Sequence, residues 1–287
     1  MLKPLFKWTG GKRREIKVFE KYYPEIVKSE NYTFIEPFVG GGAVYWDLQA
    51  PNNIINDIDY DLTNFFEVIK NSKEYIIESV SDIGDALRRI TDKEKSGKID
   101  ISEAKKERGE YYYHWRNMDR ENGLDKMNPE DRACRFFIVN QLAFNGMRRF
   151  NKSGEFNVPY GNYKQLNLNL TGEHLDLLNR TEVLNKDYRD IMLENDREDV
   201  FIYLDPPYTR KFKEYNHKNV FGYESQLELC NIFKGMENAK VMLIINKDDF
   251  TTELYSDYIK DEYSLKYSTN IKNRYSKAVK HLIITNY

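Results

Sequence analysis

The residues with the plainest chemical potential are Asp205-Pro206-Pro207-Tyr208, which follow the apolar run Val200-Phe201-Ile202-Tyr203-Leu204 without a break. That run has the composition of a strand covered on both faces of a parallel sheet. Pro206 and Pro207 lack amide hydrogens and hold φ near one value, so the strand must end there. In an open α/β sheet the carboxyl ends of strands are where ligands bind, which puts Asp205 and Tyr208 at a cleft. A nucleobase amine is a substrate that such a group could activate. Its lone pair is delocalised into the ring, and Asp205 with the Pro206 carbonyl could accept its two N–H groups and draw the nitrogen toward tetrahedral geometry. The Tyr208 ring would hold the base by stacking. The chemistry indicated is amine methylation; a strand-ending turn with an incidental acid is the plainer reading of these four residues alone.

A chain of 287 residues can bury a substantial core and hold one large domain or two smaller ones. Charged residues are 31% and no apolar run reaches the length of about 18 that a membrane-spanning helix needs. Met1-Leu2-Lys3-Pro4 starts no secretory apolar core. Cys134 and Cys230 lie far apart in helix-like surroundings, which suggests neither a metal site nor a disulfide framework and points to a cytoplasmic protein. A net charge of -2 argues against a wholly basic nucleic-acid binder. From Ser264 onward, however, Lys266, Lys272, Arg274, Lys277 and Lys280 occur without an acid, as either a phosphate-contacting patch or a solvated basic face. Aromatic residues at 14% could serve stacking or core packing.

Several segments would position the tetrapeptide. Gly10-Gly11-Lys12 precedes a helix-like stretch over residues 13–23, with backbone amides and Lys12 available to an anionic group, or simply a loop entering a helix. Residues 32–38 read as a strand, and Val39-Gly40-Gly41-Gly42-Ala43 as a tight turn where the backbone can approach a ligand closely. Tyr45 stands where a dinucleotide fingerprint has its third small residue, so nicotinamide binding is disfavoured. A second strand over residues 53–59 ends in acids fitted to ribose hydroxyls, although Asp59 equally suits an N-cap for a helix over 62–69.

From 71 to about 179 charged helical segments take over, at 75–90, 101–118 and 129–143, as in an insertion. Its end, residues 145–160, places Lys152-Ser153-Gly154 between two short β-like arms. A basic hairpin of this kind can enter a DNA major groove, or can be purely structural. Strands resume at 182–188, 200–205, 240–246, 262–267 and 280–286, with a helix at 224–236, so the economical architecture is an α/β sandwich with a helical insertion. Residues 209–223 lack periodicity and suit a lid.

Residues 6–12 (FKWTGGK), 36–42 (EPFVGGG), Asn56-Asp57, 144–163 (FNGMRRFNKSGEFNVPYGNY), 205–208 (DPPY) and 283–287 (IITNY) together resemble the Dam-type DNA adenine-N6 methyltransferases of the alpha group, in that family's order and over nearly the whole chain. The resemblance implies an α/β fold with a seven-stranded Rossmann-like sheet that uses S-adenosylmethionine. Residues 1–60 and 181–287 would form the catalytic domain, and 61–180 a mostly helical target-recognition domain carrying a β-hairpin. It implies cofactor contacts at Trp8, Lys12, Phe38, Gly40, Gly42, Asp57, Ile58, Asp187, Tyr188 and Asp205, and catalysis by Asp205, Pro206, Pro207 and Tyr208.

Double-stranded DNA is the implied partner, with the target adenine flipped out of the stack, no metal or membrane involved, and the protein a monomer or weak dimer. DNA contacts are implied at Lys7, Phe144, Asn145, Met147, Arg149, Asn157, Pro159, Tyr163, Lys164, Lys272, Arg274 and Lys277. Members acting on GATC carry a lysine at the position of Lys7, an apolar residue at Met147, an arginine at Arg149 and a proline at Pro159, which implies GATC here with Arg149 on guanine. Gln141 and Phe144 stand where an arginine and a tyrosine are frequent. Cytosine-N4 and protein-amide methylation usually replace the leading acid by serine or asparagine, and cytosine-C5 methylation needs a cysteine beside the site. A non-catalytic nucleic-acid-binding module would show no S-adenosylmethionine binding.

Overall fold

The computed structural model describes residues 2–121, 123–207, 221–265 and 279–287. Among them, strands β1 (Thr33–Glu36), β2 (Asn52–Asn56), β3 (Thr181–Leu184), β4 (Val200–Leu204), β5 (Lys240–Asn246), β6 (Ile259–Leu265) and β7 (Val279–Thr285) form one sheet in the order β3-β2-β1-β4-β5-β7-β6. β1 is parallel to β2 and β4, and β4 to β5, whereas β7 is antiparallel to both β5 and β6. The helices are α1 (Ile16–Phe19), α2 (Ala43–Leu48), α3 (Tyr60–Asn71), α4 (Lys73–Lys95), α5 (Ile101–Glu121), α6 (Pro129–Leu142), α7 (Gly172–Asn179), α8 (Tyr188–Glu194), α9 (Tyr223–Gly235) and α10 (Asp249–Leu254). The chain clusters into two units. The first comprises residues 1–11, 40–47 and 59–183; the second comprises 12–39, 48–58 and 184–287.

The second unit is organised by β4, whose five residues are all buried. Alternation sends Val200, Ile202 and Leu204 to a cluster with Ile191 and Met192 of α8, Leu229 and Phe233 of α9, and Val241 and Leu243 of β5. Phe201 and Tyr203 belong to an aromatic layer on the opposite face: Tyr203 stacks on Phe19 with centroids 5.8 Å apart, and Phe201 meets Tyr23 and Phe34, each at 5.6 Å. The expected helix over residues 13–23 is broken. A 3-10 turn at Lys12–Arg14, the four residues of α1 and a second 3-10 turn at Glu20–Tyr22 replace it. The anchors explain the break: Ile16 and Phe19 are fully buried, and the Tyr22 hydroxyl donates to Asp261 at 2.6 Å, so tertiary contacts outweigh helical regularity.

The first unit carries the helices α3 to α7. In α4 the buried positions Ile76, Val80, Ile83, Leu87 and Ile90 recur at helical spacing and form its inward stripe. Asp59 caps α3 by accepting from the Asp61 amide at 3.1 Å, and Asn128 caps α6 ahead of Pro129. Phe6, Phe65, Phe66 and Phe136 pack ring to ring beneath these helices.

The expected β-hairpin at 145–160 is present only in outline. Asn157 donates to the Arg149 carbonyl and Asn151 to the Glu155 carbonyl, both at 2.9 Å, yet Phe150 and Phe156 form just an isolated bridge and no strand develops. Arms this short cannot sustain a ladder, and side chains of α5 supply the remaining partners of the second arm.

Ile202 is fully buried in the central strand, so Ile202→Ala is expected to cost about 2–5 kcal/mol, read as a fall in the denaturant midpoint with an unchanged slope.

Candidate functional site

β1 and β4 are neighbours that are not consecutive in the chain, so the crevice beyond their carboxyl ends is the switch point at which open α/β sheets take ligands. Asp205 sits there. Its parity with Phe201 and Tyr203 sends the carboxylate to the face covered by the Lys12–Phe19 segment. Lys12 Nζ lies 2.7 Å from both Oδ1 and Oδ2; the lysine side chain is 2% exposed and that of Asp205 20%. Burial pushes the Asp205 carboxyl above the ordinary carboxylate range while the Lys12 charge pulls it back; Glu15 adds to the rise and His281 opposes it. Glu15 is itself buried, accepting from the Tyr263 hydroxyl at 2.6 Å and lying 3.3 Å from His281 Nδ1. Pro206 is buried and Pro207 exposed. Tyr208 lies outside the described residues, as do Lys266, Lys272, Arg274, Lys277 and residues 209–220 of the expected lid.

The remaining expected cofactor residues of the second unit are gathered by a side chain that sequence reasoning did not single out. Asn56, 1% exposed at the end of β2, donates to the carbonyls of Pro37 at 3.0 Å and Lys186 at 3.1 Å and accepts from the Lys186 amide at 2.8 Å. It thereby ties together the chain after β1, β2 and β3. Phe38 lies 5.0 Å from the Tyr188 ring, tilted by 34°, and 5.7 Å from Phe221, edge to face at 87°, forming an aromatic cluster. Burial raises the Tyr188 phenol to about 12. Asp57 is half-buried, its carbonyl accepting from Asn185 at 2.7 Å, and Ile58 is exposed. Asp187 caps α8 through the Arg189 amide, and hydrogen bonding to the Arg189 guanidinium lowers its pKa despite an opposing burial effect. Carboxylates that follow two strand ends beside an aromatic cluster are acceptors of the kind that suits ribose hydroxyls.

In the first unit Trp8 packs on the glycine turn. A Cβ added to Gly40 would stand 2.4 Å from Trp8 Nε1, and one on Gly41 2.8 Å from Trp8 Cβ; Gly40 (φ 48°) and Gly42 (φ 66°) also occupy the left-handed region. Arg148, which the sequence reading passed over in favour of its neighbour Arg149, holds Trp8 from the other side. Its guanidinium lies 5.2 Å from the Trp8 ring and 5.1 Å from Phe136, with Nη2 2.7 Å from Asp59. Asp59 is therefore a cap and an ion-pair partner, and burial pushes its carboxyl up against the pull of Arg148. Adjacent arginines of which one turns inward leave no signal in composition.

The expected DNA-contacting residues of the first unit fall into one surface cluster. Lys7 Nζ sits 4.0 Å over the Tyr163 ring, its carbonyl accepts from Asn140, and Gly146 packs against its side chain. The Phe144 amide donates to the Pro159 carbonyl at 2.9 Å, and Phe144, Asn145, Met147, Arg149 and Pro159 are exposed. Arg149 donates through Nε to Asn157 Oδ1 at 2.8 Å and through Nη2 to the Asn157 carbonyl at 3.2 Å. Lys164 is exposed, with its ammonium 2.6 Å from Glu94.

The sheet order, with an acid and two prolines at the switch point, defines an α/β methyltransferase fold. The chain belongs to the D12 class N6 adenine-specific DNA methyltransferases, whose family model matches residues 8–271. It is 33% identical over 293 residues to the type II methyltransferase M.CviBI of Paramecium bursaria Chlorella virus NC1A, with both chains fully covered. It is 30% identical over 298 residues to the type II methyltransferase M1.LlaDCHI of Lactococcus lactis subsp. cremoris, covering all of this chain and 96% of that one. Similarity to the DNA adenine methylase of Escherichia coli K12 is 29% over 263 residues, 87% of this chain and 82% of the other.

Two outcomes test this geometry. Asn56→Ala leaves buried backbone groups unsatisfied and is expected to cost about 1–3 kcal/mol in thermal unfolding. Lys12→Met removes the charge that pulls the Asp205 carboxyl down, so its titration, followed by carbon NMR, should move to higher pH than in the parent. In the parent, folded Asp205 keeps its proton to higher pH than an unfolded aspartate. Its contribution to stability is therefore lost as pH rises from the ordinary carboxylate value through the raised one.

Proposed function

We propose that this DNA adenine methyltransferase transfers the methyl group of S-adenosylmethionine to N6 of an adenine flipped out of duplex DNA, within GATC. The observation that carries the reading is the half-buried Asp205 carboxylate at the β1/β4 switch point, held by a buried ammonium and followed by two prolines. S-adenosylmethionine supplies an electrophilic methyl group. Asp57, Ile58, Phe38, Asp187 and Tyr188 are the residues of the second unit assigned to hold it; Lys12 acts there through Asp205.

Asp205 accepts one N6–H and the Pro206 carbonyl the other, which localises the nitrogen lone pair. Lys12 occupies one lone pair on each carboxylate oxygen, and each oxygen keeps another for the substrate. Bound S-adenosylmethionine would supply the methyl group with its sulfur as the leaving group, and the methylated nitrogen would have to lose a proton. An Asp205 oxygen made more basic by burial is placed to take it. Tyr208 is assigned to stack on the adenine. A base in the duplex stack could not reach such a strand-end crevice, which supports flipping.

Residues 61–180 are assigned to target recognition. The surface cluster of Lys7, Met147, Arg149 and Pro159 supports GATC, with Arg149 on guanine through O6 and N7.

Methylation of mixed genomic DNA followed by mapping of the modified adenines tests reaction and site together: N6-methyladenine at GATC is expected, and another shared sequence would overturn the site while keeping the chemistry. Asp205→Ala should lower turnover by at least about 10²–10³-fold with DNA binding retained, and undiminished turnover would overturn the assigned role. Arg149→Ala should relax one base position by about 1–3 kcal/mol, measured as the change in kcat/KM ratio between GATC and single-base variants.

A further inference from the structure

The second arm of the recognition loop is bonded along both edges. On one edge Asn157 donates to the Arg149 carbonyl at 2.9 Å and holds the Arg149 guanidinium. On the other, where a third strand would lie in a sheet, side chains of α5 take its place. Asp119 Oδ2 accepts from the Phe156 amide at 2.7 Å, Arg120 Nη2 donates to the Phe156 carbonyl at 2.9 Å, and the Tyr112 hydroxyl donates to the Val158 carbonyl at 2.7 Å. Arg116 Nη1 reaches the same Val158 carbonyl at 3.4 Å. Positions 112, 116, 119 and 120 lie on one face of a helix, and the bonded residues 156 and 158 alternate along an extended arm, so helical and β periods match here.

Asp119 is fixed in turn. Arg135 Nη2 of α6 lies 2.8 Å from the same Oδ2, and both side chains are nearly inaccessible, at 5% for Arg135 and 4% for Asp119. A carboxylate this buried has its position set by its cation, and through the Phe156 amide it sets the height of the arm on which Asn157 holds Arg149.

We infer that Asp119, clamped by Arg135 and assisted by Tyr112 and Arg120, is a positioning residue that aims Arg149 at its base and so sets discrimination at that one position. The inference rests on the reading that Arg149 contacts a base. An arm free to shift would let the guanidinium meet an alternative base edge, whereas an arm fixed on both edges admits one placement, because a bidentate contact tolerates little displacement.

The test uses the full chain and compares kcat/KM on the mapped target duplex with duplexes altered at one base pair at a time. Removing Asp119 alone would strand the Arg135 charge, so the variant is Asp119→Leu with Arg135→Met, which removes both charges together. Tyr112→Phe removes one bond, and Arg120→Met, on a partly exposed side chain, removes the bond to the Phe156 carbonyl together with the contacts to Glu155 and Asn117. The expected result is a loss of discrimination, about tenfold or more for the double variant and smaller for the single ones, confined to the position that Arg149→Ala relaxes. The salt dependence of binding and the affinity for S-adenosylhomocysteine should be unchanged. Asp119→Asn with Arg135→Met, which keeps an acceptor for the Phe156 amide without leaving a charge unpaired, should recover part of the discrimination that Asp119→Leu with Arg135→Met loses. Equal loss of rate on every duplex, with the ratios preserved, would overturn the inference and leave α5 a scaffold. Should Arg149→Ala relax no position in an enzyme that still methylates, the reading of Arg149 fails instead, and the two failures are distinct.

Discussion

The structure of the second unit turns on keeping a partly desolvated carboxylate at the end of its most buried strand. Burial in that place favours the protonated form of Asp205, which offers fewer acceptor lone pairs than the carboxylate does. Lys12 answers this from 193 residues away in the chain, with one ammonium on both oxygens. For that contact the Lys12–Phe19 segment must lie on the aromatic face of the sheet, where Phe19 stacks on Tyr203. Glu15 then comes to lie beside His281 of β7 and the Tyr263 hydroxyl of β6, so the two antiparallel strands at the sheet edge also contribute to the electrostatics around the acid. Such a pair adds little net stability, since its desolvation offsets its attraction; what it supplies is a defined position and a defined charge.

The same device recurs wherever an irregular segment must be held still. Asn56 fastens three strand ends through three hydrogen bonds from one amide. Arg148 sits between Trp8 and Asp59 and so fixes both the tryptophan against its glycine turn and the start of α3. Asp119 and Arg135 do this for the recognition loop. Loops carry backbone polar groups that regular structure does not satisfy, and a buried side chain with two or more hydrogen-bonding atoms is the compact means of satisfying them.

Much of this was legible in the sequence, and the reason is physical. β4 and β5 announce themselves because both faces are buried, which forces a continuous apolar run, α4 because one face is buried, and α6 because its second half is buried all round. Asp59 suited a cap by type and position, and it is one. Residues 13–23 misled because their apolar spacing resembles a helix, whereas Phe19 and Tyr22 answer to Tyr203 and Asp261, partners no local window contains. The arms at 149–157 showed β composition, but α5 side chains, not strands, complete their bonding. The structural roles of Asn56, Arg148 and Asp119 were not legible for one shared reason, although the first two stand within the motifs that carry the resemblance: those roles consist of contacts distant in sequence.

Among the described residues, the polar partners named for Asp205 and those named for Arg149 fall in different units. Lys12, Glu15, His281 and Tyr263 all lie in the second unit; Asn157, Asp119, Arg135 and Tyr112 all lie in the first. Substitutions sharing no partner act nearly additively, so under the proposed reading of Arg149 changes around it would act on base preference and leave the protonation of Asp205 as it is. A family built this way can vary its recognition sequence under one chemistry. If the arm carrying Arg149 reads a base as proposed, the residues that have to change together in doing so extend to the α5 and α6 positions that hold that arm, because a new side chain on an arm aimed for the old one would meet the wrong edge of its base.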